Sequence, residues 1–362
     1  MSANSAWNLA NFRARLIRDL VAAGYRVVTL APDDGHADAV RALGAGFMSI
    51  AVDSSGLSPV RDARLFLQYS SILRRLRPDF YLGFTVKPNI YGSLAASLLG
   101  IPVLNNISGL GTAFIRSGPL TFLVERLYRL ALRRSAKVFF QNPQDMQLFL
   151  DRRLVRGGQE QLIPGSGVDL DRFRPSAARG GDGGFRFLFV GRLLWDKGIG
   201  EYAEAARLLR PGWPDVRFQL LGFAGADNRS AVPREEIERW AREDSLEFLG
   251  DTPDVRPFLE NADCVVLPSY REGLPRSLLE ASAMARPMIA ADVPGCREVV
   301  VEGETGFLCE ARSARSLADA MERMLRLPAE ERARMGATAR ARAERMFDEA
   351  LVSRAYLESL AR

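Results

Sequence analysis

The stretch Pro268-Ser269-Tyr270-Arg271-Glu272-Gly273-Leu274-Pro275-Arg276-Ser277-Leu278-Leu279-Glu280-Ala281 carries the reading of the fold. Before it stand four apolar residues, Cys264 to Leu267, which read as a buried strand. After the Gly/Pro loop a helix starts near Pro275. A strand, such a loop and then a helix is how doubly wound α/β sheets present ligand groups at the carboxyl ends of their strands. Glu272 thus falls in the loop and Glu280 on the helix, two carboxylates eight residues apart.

A second motif lies upstream, Phe185-Arg186-Phe187-Leu188-Phe189-Val190-Gly191-Arg192-Leu193-Leu194-Trp195-Asp196-Lys197-Gly198. An apolar strand ends at Gly191, and Arg192 and Lys197 follow before the next helix. Two cations near a helix N-terminus suit a diphosphate. Alone, such a pair reads as solvated surface. Placed about eighty residues ahead of Glu272, in this order, it reads as part of a site.

Together the two segments resemble the G-R-L-x-x-x-K-G and E-x7-E signatures of the retaining family 4 glycosyltransferases of GT-B fold. The resemblance continues through Ala290-Ala291-Asp292-Val293-Pro294-Gly295-Cys296-Arg297-Glu298 and Gly303-Glu304-Thr305-Gly306-Phe307-Leu308, and covers nearly the whole chain. It implies an α/β chain of two Rossmann-like, doubly wound parallel-sheet domains facing a central cleft. It implies that Arg192 and Lys197 hold the donor phosphates and that Glu272 meets the donor sugar. Glu280 would accept the ribose hydroxyls, a charge-assisted contact. Gly191, Gly273, Leu274 and Pro275 fall beside them in the nucleotide site, and Gly250 and Thr252 match a loop that touches the nucleobase through its backbone.

Composition sets the frame. A chain of 362 residues is long for one core and suits two domains. No apolar run reaches the roughly 18 residues of a membrane span. Cys264, Cys296 and Cys309 lack CxxC spacing and read as buried thiols. With His36 the one histidine, in a polar loop, a metal site or a histidine-activated nucleophile is not expected. Residues 1–175 carry 20 Arg and 2 Lys against 13 Asp and Glu, a balance of +9, which leaves −4 for the rest of a chain of net charge +5. A basic first half suggests an anionic partner, here a membrane surface or a lipid diphosphate. No nucleic-acid motif is present, and nucleic acid is not an expected partner.

Strands and helices alternate throughout, which predicts parallel sheets. Strands are expected at Arg26 to Leu30, Phe47 to Val52, Phe80 to Phe84, Val103 to Asn106, Val138 to Gln141 and Leu162 to Pro164. Helices are expected at Ala63 to Leu76, Pro119 to Arg134 and Pro143 to Leu150. The expected division is residues 1–174 for acceptor binding, a Gly-rich linker over 175–184, 185–344 for the nucleotide sugar, and a last helix over 345–362. That helix would pack back on the first domain through Phe347, Leu351, Tyr356 and Leu360. Met1 to Arg13 reads as the loop and helix that follow a first strand, so the middle of the first sheet looks empty and an apolar strand is expected to be encoded upstream.

The remaining candidates sit in loops. Asn4 and Ser5 occupy the place of a diphosphate loop, against the simpler reading of a helix cap. Lys87 and Asn89 follow a strand and open a helix, near where many relatives place a histidine against the donor sugar. Thr85 and Lys87 stand there instead. Ser108, Gly109 and Gly111 form a loop that admits close approach of a ligand, or no ligand at all. Asp169 and Asp171 imitate a D-x-D metal motif but belong to the approach to the linker.

The resemblance implies transfer of a hexose or N-acetylhexosamine from a UDP-sugar, with no metal and no resident cofactor. Lys87 to Gly92, Ser108 to Gly111, Phe139 to Asn142 and Leu194 to Gly198 are similar to one bacterial subgroup that extends undecaprenyl-diphosphate-linked sugars in capsule, exopolysaccharide or glycan synthesis. A lipid-diphosphate saccharide is then the acceptor, and the enzyme is cytoplasmic, peripheral at an anionic membrane face. Three readings compete: a soluble acceptor, a sugar-nucleotide 2-epimerase and a catalytically silent GT-B subunit. The epimerase needs acid/base histidines, and the silent subunit sits badly with intact Arg192, Lys197, Glu272 and Glu280.

Overall fold

The structure is a computed structural model that describes all residues except 54–57, 111–118, 176–183, 226–229, 244 and 362, and the side chains of residues 119 and 120. The chain forms two compact units, Met1–Ser166 with Glu349–Arg362, and Gly167–Asp348.

The first unit contains α1 (Ala6–Phe12), α2 (Ala14–Ala22), β1 (Val28–Ala31), α3 (Ala37–Arg41), β2 (Gly46–Ser49), α4 (Pro59–Leu76) and β3 (Tyr81–Phe84). It continues with a π-turn over Pro88–Gly92, then α5 (Ser93–Leu98), β4 (Val103–Ile107), α6 (Pro119–Leu132), β5 (Ser135–Phe140), α7 (Pro143–Asp151) and β6 (Glu160–Leu162). Strands β3 and β4 are buried at every position, which is why they read as continuous apolar runs rather than alternating ones. Helix starts follow local chemistry. At α7 the Asn142 side chain accepts the Asp145 N–H at 2.8 Å, and Pro143 needs no donor there.

Strands β1 and β2 pair in parallel, and β3, β4, β5 and β6 form a second parallel run. Met1–Ala3 lies between them. Ser2 bridges both Leu30 and Gly83. Its N–H bonds Leu82 O at 2.9 Å, and Phe84 N–H bonds Ser2 O at 2.8 Å. The expected empty slot is therefore occupied at its carboxyl end by residues that the sequence reading assigned to a loop. Their composition hid this, since Met-Ser-Ala has no β-branched residue. Below Met1 the slot is a groove of about 380 Å³ bounded by Val28, Leu30, Leu73, Phe80 and Leu82.

The second unit holds β7 (Arg186–Val190), a 3₁₀ turn (Trp195–Lys197), α8 (Ile199–Leu209), β8 (Arg217–Leu221), α9 (Arg234–Arg242), β9 (Glu247–Phe248), α10 (Arg256–Asn261) and β10 (Cys264–Leu267). It closes with α11 (Arg276–Ala283), β11 (Met288–Ala291), β12 (Gly306–Cys309), α12 (Ala314–Arg326) and α13 (Ala329–Met346). Its sheet is parallel, in the order β9-β8-β7-β10-β11-β12. Strand β12 went unread as a strand: four residues after a Gly-rich turn carry little periodicity.

Residues 167–174 lie with the second unit, where Val168 N–H bonds Phe347 O at 2.8 Å. Phe347 is in that unit's core, so it does not anchor the last helix. Helix α14 (Glu349–Leu360) belongs to the first unit and is held there by Tyr356 and Leu360. Tyr356 lies 4.4 Å from the Phe139 ring and 5.9 Å from the Phe84 ring, and its hydroxyl accepts from Asn106 Nδ2 at 3.0 Å.

Candidate active site

In the second unit β7 is the point from which the strand order runs outward in both directions, with β10 beside it. Ligands of doubly wound sheets sit outside the carboxyl ends of strands at such a switch point. The two motifs leave from these two strands, Arg192 and Lys197 after β7, Glu272 and Glu280 after β10.

Backbone bonds bring the loops together. The Asp196 carbonyl accepts Tyr270 N–H at 2.9 Å and the Ser269 hydroxyl at 3.2 Å. Gly198 turns at φ +74°, and a Cβ there would lie 2.1 Å from Pro268 O. Glycine is therefore required directly after Lys197. The result is an ion pair between Lys197 Nζ and Glu272 Oε1, with side chains 20% and 11% exposed. Glu272 has a second support. Gly295, at φ +86°, places the loop after β11 so close that a Cβ would meet Gly273 O at 2.5 Å and Glu272 O at 2.8 Å.

Arg192 is exposed, and its side chain makes no ion pair or hydrogen bond among the described residues. Lys197 has donors beyond the one that meets Glu272. Both cations are thus available to an anion. Glu280 is buried on α11 and receives Arg276 Nε at 2.8 Å. Burial raises its pKa against the pull of Arg276 and Arg172. Pro275 caps α11, with Leu274 buried behind it. Gly191 N–H bonds Leu221 O at 3.1 Å, and Gly222 N–H bonds Gly250 O at 2.8 Å, so these glycines align the carboxyl ends of β7, β8 and β9. Thr252 Oγ1 holds the following turn by accepting Asp254 N–H at 3.1 Å. Asp254, paired through both oxygens with Arg256, has its pKa pulled down to about 2 by that guanidinium.

The structure assembles the four charged residues in one unit and adds partners that the sequence reading missed. Arg276 was within reach, since the i,i+4 spacing to Glu280 is visible in the chain. Asp196 and Ser269 were not, because a carbonyl contact leaves no trace in residue type. Among the described residues no three His, Cys, Asp or Glu side chains group as metal ligands. The Asp169 carboxylate accepts the N–H of Asp171 and Arg172 at 3.0 and 2.9 Å, a turn-forming use of that side chain.

In the first unit the candidates divide. The Ser5 hydroxyl accepts Asn8 N–H at 3.0 Å and caps α1. The Trp7 N–H is taken by both Asp34 carboxylate oxygens, at 3.2 and 3.0 Å. The start of α1 thus has the Ser5 cap and, at the Trp7 amide, a carboxylate of the chain itself. Asn89 is 1% exposed and fully engaged: its Nδ2 donates to Asn106 O at 2.8 Å, and its Oδ1 accepts from Asn105 Nδ2 at 2.9 Å. It shapes the strand ends from below. Lys87 pairs with Asp62 at 2.8 Å. Ser108 is exposed, Gly109 turns at φ +117°, and Gly111 lies outside the described residues.

Two family models match the chain, "Glycosyl transferase 4-like" over residues 3–142 and "Glycosyl transferases group 1" over residues 176–342. A Campylobacter jejuni N,N'-diacetylbacillosaminyl-diphospho-undecaprenol alpha-1,3-N-acetylgalactosaminyltransferase is 26% identical, covering 97% of this chain and 95% of the relative. An Escherichia coli UDP-Gal:alpha-D-GlcNAc-diphosphoundecaprenol alpha-1,3-galactosyltransferase is 25% identical over 74% of this chain and 72% of its own. Among solved structures, Anabaena HepE in complex with UDP and glucose superposes with a TM-score of 0.81 at 20% identity, over 99% of this chain and 98% of that one.

Proposed function

We propose that this chain, which belongs to the family 4 glycosyltransferases of GT-B fold, transfers a hexose or N-acetylhexosamine from a UDP-sugar to a lipid-diphosphate-linked saccharide with retention at the anomeric carbon. The observation that supports the proposal is the Lys197–Glu272 pair at the switch point of one sheet, with Arg192 on the same loop as Lys197 and Glu280 on the helix that follows the Glu272 loop. Arg192 and Lys197 would bind the donor diphosphate and stabilise the charge that grows on it as the glycosidic bond breaks. Glu272, oriented by Lys197, would hold the donor sugar through its hydroxyls. Glu280 would bind the ribose.

The acceptor class is supported by the two diphospho-undecaprenol substrates in the relatives' names and by the basic first half of the chain. The test is transfer from UDP-galactose, UDP-glucose or a UDP-N-acetylhexosamine to a polyprenyl-diphosphate N-acetylglucosamine. Since two cations can neutralise the leaving diphosphate, activity should persist in excess EDTA. Activity abolished by EDTA and restored by Mn²⁺ would return Asp169 and Asp171 to consideration. UDP bound without transfer to any acceptor would favour a silent subunit.

The same reading places the protein at the cytoplasmic face of a membrane. No helix of the described residues is long and apolar enough to cross one. Arg74, Arg75 and Arg77 cluster at the end of α4, and Leu67, Leu98, Phe122 and Leu130 of the first unit are all more than half exposed. Basic residues at an anionic leaflet contribute about 1 kcal/mol each, screened by salt. Vesicles containing phosphatidylglycerol should therefore co-sediment the protein at low ionic strength and release it as salt rises. Indifference to such vesicles at low salt would refute the membrane assignment.

A further inference from the structure

In the second unit, Leu208, Phe223, Phe248 and Met346 are the large apolar side chains that stand exposed among the described residues. Leu208 lies on α8, Met346 ends α13, and Phe248 is inside β9 in register with Leu220. Phe223 differs. It follows β8 by two residues, at the carboxyl end of the sheet that also carries Arg192 and Lys197, and it is 54% exposed. Loops at the end of a rigid scaffold are where binding groups concentrate, and a ring in water gains when its faces are covered.

The backbone of Phe223 is fixed from both sides. Gly222 N–H bonds Gly250 O at 2.8 Å, and Leu193 N–H bonds Phe223 O at 3.4 Å. A Cβ on Gly222 would lie 1.8 Å from Gly191 O, so the loops after β7 and β8 touch backbone to backbone. Phe223 thus stands between the loop of Arg192 and Lys197, expected to hold the phosphates, and the loop of Gly250 and Thr252, expected to meet the nucleobase. A nucleobase has a polar edge and two flat apolar faces. Backbone N–H and C=O groups can meet the edge, but a face is best covered by another ring. Of the residues proposed for the donor site, Arg192, Lys197, Glu272, Glu280, Gly250 and Thr252, none offers an aromatic face.

We propose that the Phe223 ring is the platform on which the pyrimidine base of the donor stacks. The base then lies with its edge toward the Gly250–Thr252 backbone and one face on the phenyl ring, and its diphosphate reaches the cations after β7. The inference rests on the glycosyl-transfer reading and adds to its donor site the residue that covers the base.

Isothermal titration with UDP tests it. Phe223→Ala should weaken UDP binding about tenfold, the order of one lost base–aromatic stack. The KM for the UDP-sugar should rise in proportion while kcat at saturating donor stays, because the base lies away from the bond that breaks. Phe223→Tyr keeps the ring and should keep the affinity. Phe223→Leu keeps apolar bulk without a ring and should behave as the alanine variant does. The melting temperature should hold in all three, since the side chain is more than half exposed. Unchanged UDP affinity in Phe223→Ala, or full affinity in Phe223→Leu, overturns the platform. A fall in kcat with UDP affinity intact overturns it as well and moves Phe223 to the reacting sugar. Failure of the parent reading has a different signature, no UDP binding by the unaltered protein, and would remove this proposal with it.

Discussion

Arg192→Ala and Lys197→Ala should each lower kcat by about a hundredfold or more, an effect of the size found when one preorganised charge is removed from a transition state. Both cations sit at the carboxyl end of β7, and both should matter most when the diphosphate carries its leaving-group charge. Arg192 gives the sharper result. It is exposed and makes no ion pair among the described residues, so its loss should leave the fold untouched. Lys197→Ala also deprives Glu272 of its partner, so part of its effect should appear in the KM for the donor. Steady-state kinetics beside a thermal melt separates the two. Near-normal turnover in a folded Arg192→Ala protein would show that the phosphates are held elsewhere.

Glu280→Gln should weaken UDP binding by about ten- to a hundredfold, which corresponds to losing a charged hydrogen bond of roughly 1.5–3 kcal/mol. The substitution keeps the shape and removes the charge. Stability should not suffer. Burial raises the Glu280 pKa above its ordinary value, so between those two values the folded chain holds a proton that the unfolded chain releases. Stability then falls as pH rises through that interval. A neutral amide in place of the acid relieves this, while Arg276 keeps access to water at 19% exposure. Isothermal titration with UDP decides the matter: equal affinity in a folded variant would take Glu280 out of the nucleotide site.

The chain by itself determined the α/β class, the parallel sheets and the four charged residues of the proposed donor site. The reason is physical. Buried parallel strands must be apolar on both faces, and loops at their carboxyl ends must carry the chemistry, so both show in residue type and spacing. The i,i+4 pair of Arg276 with Glu280 was legible on the same terms. Only the tertiary structure decided how Lys197 meets Glu272, because the Asp196 carbonyl and the close approaches at Gly198 and Gly295 are backbone contacts between segments far apart in sequence. Only it brought Asp34 to the Trp7 amide, beside the locally formed Ser5 cap, and only it buried Asn89. Met1–Ala3 lay beyond sequence reasoning for a related reason. Three residues without strand propensity take a strand's place, bridged through Ser2, because β1 and β3 supply the partners on either side.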